Sequence, residues 1–150
     1  MMAFLPNLHG TAIIIGDRGV LIRGASGSGK TTLALALLTV SRNAGRHATL
    51  VADDQVLVAP RENRLICLAP PRIAGLVEVR GLTPRPVAHA QSAVIDLLVS
   101  LVEETDAPRY SEDCWSEIAG CRLLELMLPS RNVNGALAAL AVCLSLPPFD

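Results

Sequence analysis

The segment from position 24 to position 31 constrains the fold of this chain more than any other, because it reads Gly-x-x-x-x-Gly-Lys-Thr. An apolar run, residues 20–23, precedes it, and a stretch rich in leucine and alanine, residues 31–41, follows it. This order predicts a strand, a glycine-rich loop and a buried helix. Backbone N–H groups of such a loop turn toward one point, where the positive end of the helix adds to the attraction for an anion. The sequence therefore predicts a phosphate-binding loop formed by Gly24, Ala25, Ser26, Gly27, Ser28, Gly29, Lys30 and Thr31.

Two side chains of this loop carry predicted roles. Lys30 would place a cation on the outer phosphates, and Thr31 would offer a hydroxyl to Mg²⁺. The alternative is a glycine-rich turn that arose by chance, which the flanking strand and helix argue against. The pattern Gly-x-Gly-x-x-Gly is absent, which disfavours a dinucleotide-binding fold.

The rest of the chain alternates apolar runs with turn signals. The predicted strands are residues 12–15, 49–52, 55–59, 65–69, 76–79 and 123–128, and residues 134–146 are a second predicted helix. Residues 16–19 and 60–64 are predicted turns. Residues 93–102 fit a strand or a helix, and the polar residues 106–120 are predicted to be rich in loops. Many strands with only two clear helices predict an α/β domain with a mixed sheet rather than a doubly wound one.

Composition narrows the class of protein. With 150 residues, the chain is predicted to form one domain, residues 1–150. The 51% of hydrophobic residues argue against disorder, and the net charge of -1 argues against a nucleic-acid partner. The first ten residues lack the features of a signal peptide, and the longest apolar stretch, residues 135–148, is too short to span a membrane. The four cysteines have neither C-x-x-C nor zinc-ligand spacing, so we expect reduced thiols in a cytoplasmic protein.

Two adjacent carboxylates, Asp53 and Asp54, follow the predicted strand at residues 49–52. Phosphoryl transfer needs a carboxylate for the metal and often a base for the acceptor hydroxyl. Neighbouring residues on a strand point to opposite faces. We therefore expect one aspartate to face the phosphates and the other to orient a neighbour or cap a turn. The alternative is a solvated turn.

Four further residues are candidates with a weaker signal. Glu78 and Arg80 lie two residues apart, on one face of a predicted strand, where they would hold Mg²⁺ and phosphate oxygens or form an ordinary surface ion pair. A lone histidine such as His9 is more often structural than catalytic. Arg109 lies in a polar loop and has no distinctive pattern around it.

Taken together, these motifs resemble the catalytic domain of HPr kinase/phosphorylase over most of the chain. The similar segments are Leu8-His9-Gly10, the strand and loop at residues 19–30, Leu50-Val51-Ala52-Asp53-Asp54-x-Val56 and Glu78-Val79-Arg80-Gly81-Leu82. The resemblance implies an ATP- and Mg²⁺-dependent kinase that phosphorylates a serine of HPr, a carrier protein of the sugar phosphotransferase system. The same site would also run phosphorolysis. It further implies a phosphate-loop domain like that of phosphoenolpyruvate carboxykinase, and assembly as a hexamer.

The resemblance also implies roles for single residues. The catalytic histidine of the family corresponds to His9, and its loop lysine to Lys30. The aspartate that takes the serine proton corresponds to Asp54, with Asp53 beside it. The metal ligands correspond to Thr31, a serine in most members, and Glu78. A catalytic arginine in the polar loop corresponds to Arg109. In the expected mechanism, Arg80 or Arg109 would act as an internal arginine finger.

The chain departs from the family pattern at three places. The chain resembles the short form of the family, which lacks the large N-terminal domain. After residue 82 the usual Gly-Ile-Ile-Asp is replaced by Thr83-Pro84-Arg85-Pro86. The arginine loop associated with phosphorolysis is reduced to Leu128-Pro129-Ser130-Arg131-Asn132. The kinase prediction therefore carries over better than the phosphorylase prediction.

Two other functions stay open at this point. One is a phosphate-loop kinase that acts on a small metabolite. The other is a nucleotide-binding regulator without catalysis, with a two-component regulator as its partner.

Overall fold

The computed structural model describes residues 6–109 and 113–150. Within these ranges the chain forms ten strands and two α-helices, together with two short 3-10 helices at Pro71–Ile73 and Glu104–Asp106. In chain order the elements are β1 (Asn7–Ile15), β2 (Arg18–Gly24), α1 (Lys30–Asn43), β3 (Ala48–Ala52), β4 (Gln55–Arg61), β5 (Arg64–Leu68), β6 (Leu76–Val77), β7 (Arg85–Pro86), β8 (Ser92–Val102), β9 (Cys114–Ile118), β10 (Cys121–Pro129) and α2 (Val133–Cys143).

Eight of the strands form one mixed sheet, as predicted. Strands β2, β8 and β10 are parallel to one another, and the other pairings in this sheet are antiparallel. Five strands pair in a closed circuit: β1 with β2, β2 with β8, β8 with β5, β5 with β4, and β4 with β1. Strands β6 and β7 form a separate two-stranded sheet.

The sheet is buried on both faces, and alternate residues of its strands enter two different cores. Ile13 and Ile22 belong to the core that contains α1 and α2. Leu21 and Leu98 belong to the second core, which is made by strands alone. Because β8 supplies residues to both cores, most of its residues are apolar, with Asp96 and Ser100 as interruptions. This explains why residues 93–102 fit either a strand or a helix by sequence.

The turns follow the predicted chemistry. Gly16 has a φ of 63°, and Glu62 and Asn63 have φ of 52° and 64°, the left-handed conformations that tight hairpins require. Helix α1 ends at Asn43 and the chain turns at Gly45, where φ is 75°. Both predicted helices are confirmed within three residues at each end.

Two sequence predictions need correction. Residues 106–120, predicted to be rich in loops, include β9, which pairs with β10 across a hairpin at Ala119 and Gly120. Strand β9 looks polar because it is an edge strand, with Cys114, Trp115 and Glu117 exposed. The strand predicted at residues 76–79 is shorter, and ends at Val77. No helix in the described part of the chain is long and apolar enough to cross a membrane.

A polar network ties the three parallel strands together just before the glycine-rich loop. Arg23 of β2 donates to Ser100 of β8 and to Glu125 of β10, at 2.9 Å in both cases. Ser100 also donates to Glu125. Burial acts to raise the pKa of Glu125, but the hydrogen bonds from Ser100 and Arg23 outweigh it and hold this pKa below the usual value.

We predict that Glu125→Gln makes the protein less stable by about 1–3 kcal/mol at neutral pH, since it weakens hydrogen bonds to a largely buried charge. A carboxylate whose pKa is lower in the folded protein stabilises the fold fully at pH values above its unfolded-state pKa, near 4.5. This stabilisation is lost as the pH falls through the folded-state pKa. The free energy of unfolding from denaturant titrations should therefore fall less steeply below pH 4.5 in the variant. Glu117→Gln, on the exposed face of β9, is the matched control. Equal pH dependence in wild type and Glu125→Gln would contradict the prediction.

Candidate active site

The glycine-rich loop joins the end of β2 to the start of α1. Gly27 and Gly29 have φ of 79° and 97°, values that residues with a Cβ rarely adopt. Helix α1 begins at Lys30, and no side chain caps its N-terminus. The first N–H groups of the helix and its positive dipole end are therefore available to an anion.

The side chain of Lys30 folds back onto this loop. Its Nζ donates to the carbonyl oxygens of Gly24 and Ala25, at 2.9 and 3.1 Å, and the residue is 7% exposed. Burial lowers the pKa of Lys30, and the nearby charges of Asp54 and Asp53 oppose that change. Lys30 is also the only lysine in the sequence. An incoming phosphate would offer this ammonium group a charged partner in place of two neutral carbonyls.

Asp53 lies at the end of β3, 3% exposed, and its two oxygens accept three hydrogen bonds. Oδ1 accepts from the hydroxyls of Thr11 (2.9 Å) and Thr31 (2.7 Å). Oδ2 accepts from the backbone N–H of Glu78 at 3.1 Å. Asp53 thus fixes the orientation of Thr31 and the position of the segment that carries Glu78. This geometry is that of a positioning residue.

Asp54 has a different environment from its neighbour. Its φ of 68° is left-handed, a conformation that aspartate tolerates better than most residues. Its Oδ1 lies 2.8 Å from Nε2 of His9 on β1, and both side chains are about half exposed. The backbone N–H of Gly10 donates to the Asp54 carbonyl at 3.0 Å, which holds this turn against β1. The two aspartates therefore differ in environment: Asp53 is buried and orients its neighbours, and Asp54 is about half exposed beside His9.

These elements surround an open cleft of about 420 Å³. Nine of the predicted site residues line it, among them the lysine, the exposed aspartate and the glutamate. The full lining is His9, Ser26, Gly27, Gly29, Lys30, Thr31, Thr32, Leu35, Asp54, Glu78, Val79 and Arg80.

The other predicted residues take different places. Asp53 lies behind Thr31, and Gly24, Ala25 and Ser28 form the base of the loop outside the cleft lining. Arg109 is exposed, in the segment just before residues 110–112, and is not part of the cleft lining among the residues that the structure describes.

The oxygen ligands that the cleft offers suit Mg²⁺ only when phosphate oxygens complete its coordination. The described ranges contain no cluster of three or more His, Cys, Asp or Glu that would hold a metal ion alone. Mg²⁺ commonly takes one or two protein oxygens together with substrate phosphates and waters. The Thr31 hydroxyl donates its proton to Asp53, so its lone pairs remain free for a metal, and the exposed Glu78 carboxylate lines the same cleft.

Sequence reasoning missed two parts of the site. Thr11, fully buried on β1, donates to Asp53, but a lone threonine in an apolar run carries no signal. The turn after β10 also supports the loop, since the backbone N–H of Arg131 donates to the Ser28 carbonyl at 2.9 Å.

Comparison with known proteins identifies the family of this chain. Residues 1–133 match the family model of the HPr Serine kinase C-terminal domain. The HPr kinase/phosphorylase of Caldicellulosiruptor bescii is 33% identical over 135 residues, which cover 82% of this chain and 42% of the relative. The HPr kinase/phosphorylase of Enterococcus faecalis is 31% identical over 147 residues, which cover 88% of this chain and 45% of the relative. The chain spans less than half the length of these curated relatives.

A solved structure shows the same architecture. The structure of the Hpr(Ser) kinase/phosphatase from Coxiella burnetii matches with a TM-score of 0.75 and 25% sequence identity, over 91% of this chain and 93% of that chain. The mixed α/β fold is therefore shared with a protein of that name. On the family match over residues 1–133, this chain belongs to the HPr serine kinase C-terminal domain family.

Proposed function

We propose that this chain is the catalytic domain of an ATP-dependent kinase that phosphorylates a serine of HPr. The observation that carries the proposal is that Lys30, Asp54 and Glu78 line a single cleft. The glycine-rich segment then acts as a phosphate loop of the phosphoenolpyruvate carboxykinase type. Family membership supports HPr as the acceptor and a homo-oligomer, with a hexamer as the expected state.

In this mechanism the loop N–H groups and Lys30 hold the phosphates of ATP, and Lys30 offsets the charge that develops on the transferred group. Mg²⁺, bound by Thr31 and Glu78, would supply further positive charge at the phosphate oxygens. Asp53 accepts the proton of the Thr31 hydroxyl, which leaves the lone pairs of that oxygen available to a metal in the cleft. Arg80 lines the same cleft and is the nearer candidate for an internal arginine finger, while Arg109 stays a prediction.

Asp54 is the proposed general base. His9 Nε2–H donates to Oδ1 of Asp54, which leaves Oδ2 free to accept the proton of the acceptor serine. The serine oxygen then attacks the γ-phosphorus, the bond to the bridging oxygen breaks, and ADP leaves with the electron pair. The reverse direction in the family depends on an arginine loop that is reduced here to residues 128–132, so the proposal is limited to the kinase direction.

The direct test is incubation of this chain with Mg²⁺, labelled ATP and HPr of the same organism, followed by mass spectrometry of the modified residue. We expect one phosphoserine on HPr, none when that serine is replaced by alanine, and a loss of at least about 100-fold in Lys30→Ala. Arg61→Ala removes an exposed cation elsewhere and should transfer at the wild-type rate. Transfer to a metabolite, or ATP binding without any transfer, would support one of the two alternative functions.

Asp54→Asn should keep ATP binding and lose transfer by about 10²- to 10⁴-fold, because the amide cannot take the serine proton. Binding can be followed through Lys30, since an amine-reactive reagent has only this side chain and the N-terminus to modify, and bound ATP should protect Lys30. Asp17→Asn, in the β1–β2 turn, is the matched control. Transfer near the wild-type rate in Asp54→Asn would show that another group is the base.

Thr11→Val should raise the Mg²⁺ concentration required for transfer by up to about 10-fold, because Thr11 holds Asp53, which orients the proposed metal ligand Thr31. It should also lower the free energy of unfolding by about 1.5–3 kcal/mol, because a buried charge loses a donor. Thr11→Ser keeps the hydroxyl and should behave as wild type in both measurements. A stability loss with an unchanged Mg²⁺ requirement would restrict Thr11 to a structural role.

A further inference from the structure

A second, smaller cavity adjoins the cleft and shares two of its walls. Asp54 and Glu78 line both spaces. The smaller cavity has a volume of about 100 Å³, and its apolar walls are Ile73, Leu76 and Pro84, with Asp53 and Gln55 completing the lining. The mechanism above makes no use of this cavity.

The cavity suits an apolar occupant better than a charged one. Both oxygens of Asp53 are already engaged by Thr11, Thr31 and the Glu78 N–H, and Asp54 is paired with His9. Gln55 accepts a hydrogen bond from Asn7, and the Glu78 carboxylate lies at the wall shared with the cleft. Most of the lining surface of the cavity is apolar. An apolar cavity of about 150 Å³ holds a benzene molecule, so a volume of about 100 Å³ suits one aliphatic side chain.

The cavity lies beside the place where the acceptor serine would bind. A serine hydroxyl that gives its proton to Asp54 lies at the wall shared by the cleft and the cavity. Successive Cα atoms are about 3.8 Å apart, so a residue next to that serine is within reach of the cavity. Ile73 and Leu76 are half-buried and Pro84 is exposed, which leaves the cavity open to a protein substrate.

One wall belongs to an exposed segment with two prolines, Thr83-Pro84-Arg85-Pro86. Resting on the proposed function, we propose that the cavity lined by Ile73, Leu76 and Pro84 receives the aliphatic side chain beside the acceptor serine and thereby selects the acceptor protein.

The test pairs a variant that fills the cavity with HPr variants that need less space. Ile73→Phe should lower kcat/KM for HPr by about 10- to 200-fold, mainly through KM, as expected for a misfit of a methylene or more in an apolar pocket. HPr with alanine in place of the aliphatic residue beside the serine should regain most of this loss with Ile73→Phe. Leu82→Phe is the matched control, because Leu82 is 57% exposed in the same segment and does not line the cavity.

The outcomes separate the two proposals. The cavity proposal alone would be overturned if wild type transfers phosphate but Ile73→Phe loses activity equally toward HPr and its alanine variant. It would also be overturned if Ile73→Phe loses no activity, or if the enzyme prefers an acceptor with a charged residue beside the serine. No transfer by wild type would overturn the proposed function and the cavity proposal with it. If ATP fails to protect Lys30 in Ile73→Phe, that variant no longer binds ATP normally, and Pro84→Ala is tested instead. Pro84→Ala should reduce the ratio of kcat/KM between the aliphatic and the alanine acceptor. An unchanged ratio would overturn the proposal.

Discussion

The site depends on one buried carboxylate. A charge removed from water costs several kcal/mol unless hydrogen bonds compensate it, and Asp53 has three donors from three separate segments. Through them the end of β3 is bound to β1, to the first turn of α1 and to the segment after β6. The hydroxyl of Thr31 and the backbone at Glu78 are therefore positioned by the same group. Any change that moves Asp53 affects the hydroxyl of one candidate metal ligand and the backbone position of the other.

The local parts of the fold were predictable from sequence because short-range rules determine them. A strand, a glycine-rich loop and a leucine-rich helix follow one another at residues 18–43, and positive φ at Gly27 and Gly29 requires glycine. The ambiguity at β8 and the missed β9 have one common cause. Alternation of apolar and polar residues identifies only those strands that are buried on one face and exposed on the other. Strand β8 is buried on both faces, and β9 is an edge strand with a largely exposed surface.

Strand alternation predicts that Asp53 and Asp54 face opposite sides, and only the resemblance assigns the proton-accepting role to Asp54. The burial of Asp53 rather than Asp54 follows from the left-handed backbone at Asp54 and from pairings between β1, β3 and β4, which are distant in sequence. Thr11 and the turn at Arg131 contribute through contacts of the same kind. Two loop segments also border the site: Pro84 lines the small cavity, and the backbone N–H of Arg131 donates to the Ser28 carbonyl.

The closed circuit of strands has a consequence for the order of folding. Strand β2, which leads into the glycine-rich loop, has β1 as a near neighbour in sequence, but its second edge is covered only by β8, with Gly24 opposite Leu101. Contacts so far apart in sequence form late, because closing long loops costs entropy before any contact repays it. During synthesis the second edge of β2 thus stays unpaired until residues 92–102 have left the ribosome. The strand that leads into the glycine-rich loop is accordingly completed late, by a segment far downstream of the loop itself.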